Sequence, residues 1–411
     1  MPALRMFFLL LFLVSGLLHA QVKLGNEVLA DAKFSVLAGK RIGLITNPSG
    51  VNSRLESTID ILRRAPGVKL VALFAPEHGL EADVTAGTEF PDKTDKRTGL
   101  PVYSLYGPGP VRKPTAAMLK GLDAVVYDIQ DTGCRSYTFI STMGLAMEAC
   151  GAAGVEFIVL DRPNPLGGER VEGPLLKKDF TSFVGQWPIT YAYGMTAGEL
   201  AQMINGEGWI ARRCQLRVVK LEGWRRWMTW RDTGLPWVPT SPYMPFPDSP
   251  LHYVSTGVLG QIGGVSIGIG YTLPFQTVAA PWLNAQAAAD YMNGLGLSGV
   301  RFRAVTYKPF YGAFKEQPIG GVQVFFTSAS RAPLLAINLH ALDMAKTLAG
   351  KNLFADAAKT PSKFSMFDKV MGTDAVRKQL ASGASARTII ASWKPEEDAF
   401  RQRREKYLLY K

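Results

Sequence analysis

Four short polar segments carry the residue types that hydrolysis of a polar substrate needs. They are Asn47-Pro48-Ser49-Gly50; Pro76-Glu77-His78-Gly79, with Glu81 and Asp83 close behind; Asp128, Gln130, Asp131 and Arg135; and Asp161-Arg162-Pro163-Asn164-Pro165. Together they offer several carboxylates, one imidazole and two guanidinium groups. In such a set one carboxylic acid donates a proton to the leaving group, and a second group supports the developing cation or the attacking water. Each segment alone is ordinary, because turns favour Asn, Asp, Pro and Gly for backbone reasons. Four become informative because each directly follows a short apolar run.

Those runs are the elements that must position the chemistry. Arg41 to Thr46, Lys69 to Phe74, Asp123 to Asp128, Glu156 to Leu160 and Leu216 to Leu221 read as strands. Between them lie helical stretches from Ser53 to Arg64, Tyr137 to Cys150, and Thr196 to Ile204, the last opened by Thr196 and Glu199 at capping-box spacing. Alternating strands and helices imply a mostly parallel sheet covered on both faces. In an open parallel sheet ligands bind outside the carboxyl ends of the strands, where the four segments fall. Past Trp224 the texture changes: a Pro-rich passage from Pro236 to Pro250, a Gly-rich stretch, strands at Val300 to Tyr307 and Gly321 to Thr327, and helices including Leu334 to Leu348. The expected fold class is α/β: a Rossmann-like, mostly parallel sheet over residues 21–245 and a smaller C-terminal α+β domain over 246–411.

The first twenty residues have a basic start, a short apolar core from Met6 to Leu18 and a small-residue exit at Ala20, the parts of a secretory signal. Removal there would leave a mature chain beginning at Gln21, periplasmic or secreted, with no stable membrane anchor. The net charge of +12 favours polyanionic partners. Because the basic residues are scattered and no recognition motif accompanies them, nucleic acid is not the expected partner; an acidic wall polymer or an anionic surface is. Cys134, Cys150 and Cys214 do not form a disulfide framework and are expected to be buried thiols.

Several tempting patterns fail on context. Gly264-Val265-Ser266-Ile267-Gly268 has nucleophile-elbow spacing, but Gly270 and Pro274 follow where a helix is required, and His340 precedes Asp343 against the usual order. His78 and Glu81 supply two metal ligands without a third. No phosphate loop or G-x-G-x-x-G follows the first strand, so no cofactor is expected. The aromatic residues Trp187, Tyr191, Tyr193, Tyr243 and Trp282 could pack on sugar rings, although at least half are expected in the core.

A set of ordered segments resembles the NamZ-type exo-β-N-acetylmuramidases of bacteria over nearly the whole mature length. They include Gly43 to Gly50, Phe74 to Gly79, Asp128 to Gly133 with Arg135 and Tyr137, Leu160 to Gly168, Glu172-Gly173-Pro174, Tyr193 to Thr196, Ser241 to Pro245 and Lys406 to Tyr410. The resemblance implies release of N-acetylmuramic acid from non-reducing ends of peptidoglycan fragments, in a cleft between a Rossmann-like domain and a C-terminal domain. It also implies that Glu77, in the Pro-Glu-His-Gly motif, is the catalytic residue. The chain departs from the family pattern at Ser266-Ile267-Gly268-Ile269-Gly270, where Ile267 and Ile269 replace a glutamate and an arginine, and at Tyr243, where an asparagine is usual.

On this reading Glu77 is the general acid, and Asp128 or Asp131 orients water or supports the oxocarbenium charge. Asn47, His78, Arg135, Tyr137, Arg162, Asn164, Tyr243 and Ser266 bind the sugar, a guanidinium meeting the muramic lactate carboxylate. The partner is a peptidoglycan fragment or a muramic-acid-terminated disaccharide. The competing reading is a non-catalytic or specificity-altered wall-sugar-binding member of the family. A deacylase built on Ser266 ranks last.

Overall fold

Ile42-Gly43-Leu44-Ile45 and Ala124-Val125-Val126-Tyr127 are apolar on both faces, which suits strands at the centre of a sheet covered on two sides. The two runs are neighbours in the computed structural model, which describes residues 22–108, 112–355 and 359–411. The expected leader, residues 1–20, lies outside the described residues. The main sheet contains β1 (Arg41–Thr46), β2 (Lys69–Ala75), β3 (Lys93–Thr94), β4 (Pro101–Ser104), β5 (Ala124–Asp128), β6 (Glu156–Leu160) and β7 (Leu216–Val219). Their order is β3-β4-β2-β1-β5-β6-β7, parallel except for β3 at the edge. The chain runs outward from β1 through β2 to the β3–β4 edge, then returns to the other side of β1 at β5. The topological switch point therefore lies at the carboxyl ends of β1 and β5.

The pleat divides the strands between two apolar layers. Ala124, Val126, Leu44 and Ile158 face the helices Gly25–Asp31 and Thr58–Arg64. Val125, Tyr127, Phe157 and Val159 face the opposite way, toward the helices Phe139–Ala153 and Ala197–Gly206. That second layer does not end with the N-terminal domain. It continues through Leu251 and Val254 into Leu334, Ile337, Phe367 and Phe400, so the two domains share one apolar core. The C-terminal domain carries an antiparallel sheet of β8 (Thr277–Ala280), β9 (Val300–Tyr307) and β10 (Ile319–Phe326), in the order β8-β10-β9.

The expected capping box at Thr196 is present: Thr196 Oγ1 accepts from the Glu199 amide at 3.2 Å, and a Glu199 oxygen accepts from the Thr196 amide at 3.0 Å. All three cysteines are free and buried. Among the described residues no helix is long and apolar enough to cross a membrane. The last residues of the chain dock on the N-terminal domain. Buried Arg404 donates to the carbonyls of Gly168, Tyr193 and Gly194. Tyr410 donates to Asp161 Oδ2 at 2.6 Å and accepts from the Leu221 amide.

One ion pair ties the carboxyl ends of the strands to their flanking helices. Asp128 ends β5 and is 1% exposed; Arg162 follows β6 and is 4% exposed. Arg162 Nε donates to Asp128 Oδ1 at 2.5 Å and Nη2 to Oδ2 at 3.1 Å. Thr58, on the helix Thr58–Arg64, donates its hydroxyl to the same Oδ2 at 2.5 Å, and Arg162 Nη2 also donates to the Val51 carbonyl. Removing one member of such a pair leaves a buried charge without its partner. Arg162→Met is therefore expected to lower the unfolding free energy by about 3–5 kcal/mol. Asp128→Asn added to it should recover part of that loss, both read by denaturant unfolding at neutral pH; an Arg162→Met variant as stable as the parent would show that the pair does not hold the strand ends.

Candidate active site

The switch-point crevice, where the sequence reading would seat a ligand, is filled by the protein itself. Asn47 Nδ2 donates to the Thr240 carbonyl at 2.8 Å, and Asn47 Oδ1 accepts from the Ser49 amide and hydroxyl. Ser49 Oγ accepts from the Gln130 amide at 2.9 Å, and Thr240 Oγ1 donates to the Gln130 carbonyl at 2.7 Å. The Pro-rich passage thus inserts Thr240 between the loops after β1 and β5. The loop after β1 is itself tightly packed: a Cβ on Gly50 would lie 2.1 Å from Thr46 Oγ1 and 3.0 Å from the Asp128 carbonyl oxygen.

The open space lies beside this plug, toward β2. It is a cavity of about 180 Å³ lined by Glu77 and His78 from the loop after β2, by Ser136, Tyr137 and Thr138 before the helix Phe139–Ala153, and by Ser241 to Met244 of the Pro-rich passage. Tyr253, on the helix Ser249–Thr256, and Phe275 close it from the C-terminal domain.

Pro76 to Gly79 form the turn that aims the two titratable groups. The Gly79 amide donates to the Pro76 carbonyl at 3.0 Å, and His78, the third residue, has φ 74°. A positive φ there is the mark of a type II turn, a position usually given to Gly or Asn. Backbone held in a sparsely populated region is a recurrent feature of functional sites. His78 also closes the following loop, its Nδ1 lying 2.9 Å from the Val84 carbonyl. A carbonyl only accepts, so Nδ1 carries the proton, and in the neutral ring Nε2 is left as an acceptor.

Glu77 is 7% exposed, and both of its oxygens are held. Oε1 accepts from the Gly87 amide at 2.9 Å and Oε2 from the Thr138 hydroxyl at 2.6 Å. Burial first, and the Glu77 charge second, push the neighbouring Tyr106 phenol above its usual range. Around the carboxyl group the cavity presents hydroxyls: Tyr137 is hydrogen-bonded to Ser241, and Ser136 lies 3.3 Å from Tyr253 Oη. Among the described residues Glu77 is the only carboxylate on this lining and His78 the only base.

Of the residues singled out in the sequence, Glu77, His78, Tyr137 and Tyr243 line this cavity together, and the others do not. Asn47 anchors the plug, and Asp128 and Arg162 are spent on each other. Arg135, expected to meet a substrate carboxylate, is fully buried; its guanidinium donates to the carbonyls of Pro174, Ile189 and Val370, stapling the N-terminal domain to the helix Ser365–Met371. Burial lowers it to about 10. Asn164 binds the Met195 carbonyl and the Leu166 amide. Ser266 lies 3.0 Å from Tyr307 Oη in the C-terminal domain. Asp131 accepts from Tyr193 Oη and, at 2.7 Å, from the Gly133 amide, while Oδ1 is buried without a partner among the described residues; burial raises it to about 6, against the hydrogen bond from Tyr193.

Ser136, Thr138, Ser241, Tyr253 and Phe275 enter the lining without having been singled out as binding residues. Ser136 and Thr138 were reachable, as polar residues between a strand end and a helix start. Tyr253 and Phe275 carried no signal, since only long-range packing brings them to Glu77. Of the five aromatic candidates, Trp187, Tyr191 and Tyr193 are core residues. Ile267 is also buried in the core, and Ile269 packs against it, so neither position leaves a charge unpaired.

Residues 42–248 match the family described as exo-β-N-acetylmuramidase NamZ, N-terminal, and residues 251–410 match its C-terminal counterpart. The chain is 42% identical over 390 residues to the peptidoglycan β-N-acetylmuramidase NamZ of Bacillus subtilis (strain 168), covering 95% of this chain and 92% of that protein. A solved structure of a DUF1343 family protein from Bacteroides fragilis superposes with a TM-score of 0.88 at 47% identity, over 95% of this chain and 99% of that one. A second from the same organism superposes at 0.72 with 30% identity, over the same shares. With both family models matched along the chain, and relatives this similar over nearly its full length, the protein belongs to the NamZ family.

Proposed function

We propose that this protein is a glycoside hydrolase of the NamZ kind, an exo-β-N-acetylmuramidase acting on peptidoglycan fragments, with Glu77 as the general acid. The observation that carries the residue assignment is the hold on Glu77: one carboxyl group, gripped at both oxygens by Gly87 and Thr138, at the wall of a cavity otherwise lined by hydroxyls, an imidazole and apolar side chains. The Thr138 hydroxyl can rotate to accept when Glu77 carries the proton, so the acid is held in the same place in both protonation states. A space of about 180 Å³ falls below the ~300–1,000 Å³ of pockets that take drug-sized ligands, and suits one sugar ring at a chain end. The basic leader and the net charge of +12 support work outside the cytoplasm on an acidic wall polymer.

No second protein carboxylate lines the cavity among the described residues, so the pair of acids used by most glycosidases is not assembled there. The second role falls to His78 Nε2, which can hold water or a substituent of the sugar, or to the substrate's own acetamido group. Among the described residues no guanidinium lines the cavity either. That favours, as a second reading, altered specificity, in which a sugar lacking the lactate carboxylate is also accepted; comparing release of N-acetylmuramic acid with that of N-acetylglucosamine from matched disaccharides tests it.

Glu77→Gln keeps the shape and removes the acid. Turnover of a muramic-acid-terminated disaccharide should fall by roughly two to four orders of magnitude. The loss should be smaller for an aryl glycoside whose leaving group needs little protonation, and thermal stability should barely change. Near-normal turnover of the disaccharide by this variant would refute the assignment.

Asp131 is expected to act on stability and not on chemistry. Its folded value of about 6 lies above the ordinary 3.8, so the folded state holds this proton more tightly than the unfolded chain does. The contribution is full below the unfolded value and is lost as pH rises through about 6. Between those limits the parent should therefore lose stability relative to Asp131→Asn as pH increases, measured by denaturant unfolding at a series of pH values. Turnover by Asp131→Asn should stay within about tenfold of the parent, whereas a drop matching that of a general acid or base, roughly a hundredfold or more, would return Asp131 to the reaction.

A further inference from the structure

At the mouth of the Glu77 cavity two tyrosines from different domains meet. Tyr243, on the cavity lining, belongs to the Pro-rich passage; Tyr311 follows β9 in the C-terminal domain and is 47% exposed. Tyr311 Oη donates to Tyr243 Oη at 3.3 Å. Neither ring is a loose surface aromatic. Tyr243 is held at φ 70°, a left-handed conformation that a bulky side chain rarely adopts and that persists only when the surroundings impose it.

Tyr311 is placed by the turn that precedes β8. The Phe310 amide donates to the Gly270 carbonyl at 2.7 Å, and a Cβ on Gly270, itself at φ 90°, would lie 2.0 Å from the Tyr311 carbonyl oxygen. The Phe310 ring packs on Tyr271 at 5.3 Å between centroids, and Tyr271 stacks on Tyr307 at 4.5 Å. The glycine run around 266–270 thus serves this loop by letting its backbone approach closely.

We propose that Tyr243 and Tyr311 form the subsite for the leaving sugar, the ring on the reducing side of the bond that is cut. The inference rests on the glycosidase reading and extends it. The cavity beside Glu77 has room for one sugar ring, so a longer substrate must leave through the mouth. What it meets on the Tyr243 side is a hydrogen-bonded pair of aromatic rings, whose faces suit the apolar face of a pyranose and whose hydroxyls suit its edge. Because the pair joins the two domains, the subsite exists only while the shared core holds them in register.

The test uses the full chain carrying Glu77→Gln, so that binding is measured without turnover. Calorimetry compares the muramic-acid-terminated disaccharide with the methyl glycoside of N-acetylmuramic acid, with and without Tyr311→Phe or Tyr311→Ala. Tyr311→Ala is expected to weaken the disaccharide about three- to tenfold more than the methyl glycoside, the scale of one aromatic contact. Tyr311→Phe, which keeps the ring, should recover most of that difference. Equal weakening of both sugars by Tyr311→Ala, or weakening of neither, overturns the subsite and leaves the glycosidase reading intact. Failure of both sugars to bind the Glu77→Gln chain, together with no turnover of the disaccharide by the unsubstituted chain, sinks the glycosidase reading and the subsite with it.

Discussion

A carboxylate at the end of a central strand has to be matched, because burial there removes water from a charge. Asp128 is matched by Arg162 in a two-point pair, and the same carboxylate accepts from Thr58 on the helix that crosses one face of the sheet. Its neighbours depend on it. Arg162 reaches on to the Val51 carbonyl, and the Asp128 carbonyl accepts from Thr46. Loops after three strands are thereby set relative to one another before any ligand arrives. Such a pair is weak evidence of net stabilisation and strong evidence of specified geometry, since either partner alone would be costly.

That geometry explains why the cavity sits off the switch point. In open α/β sheets the crevice between the two diverging strands is the usual seat of a ligand. Here the loops after β1 and β5 are bridged by Asn47, Ser49 and Gln130, and Thr240 of the Pro-rich passage completes the network. With the crevice bridged by protein, only about 10 Å³ is left beside Ser49, Gln130 and Arg162, and the roomier cavity lies over β2, where the Pro76 to Gly79 turn projects Glu77 and His78. The fold class alone suggests nucleotide binding at that crevice, and the plug occupies it.

The partition between domains is likewise set by packing and not by chain order. One face of the sheet is covered by short helices of the N-terminal domain, while the other shares its apolar layer with the C-terminal domain. Arg135 and Arg404 reinforce that sharing, each spending a buried guanidinium on backbone carbonyls of segments distant in sequence. A guanidinium offers its donors in a fixed planar fork and stays charged when buried, so it can hold several carbonyls at set angles. Tyr253 and Phe275 are carried to the Glu77 cavity by this arrangement.

The amino-acid sequence by itself determined the central strands, the capped helix at Thr196 and the acidic turn at Glu77. These are local matters: unbroken apolar runs, a Thr–Glu spacing and a turn-forming tetrapeptide dictate their own conformation through backbone sterics and side-chain periodicity. The strands β3, β4 and β8 escaped it, and Lys93-Thr94 is too brief for a period to register. Which polar residues face the Glu77 cavity was beyond its reach, because that depends on long-range packing. Asp128, Asp131, Arg135, Arg162 and Asn164 have the same chemistry as catalytic residues, and only their tertiary partners, often more than thirty positions away, decide that they hold the framework. Glu77 differs from them in one respect that no sequence pattern encodes: its partners leave it at the wall of an open cavity.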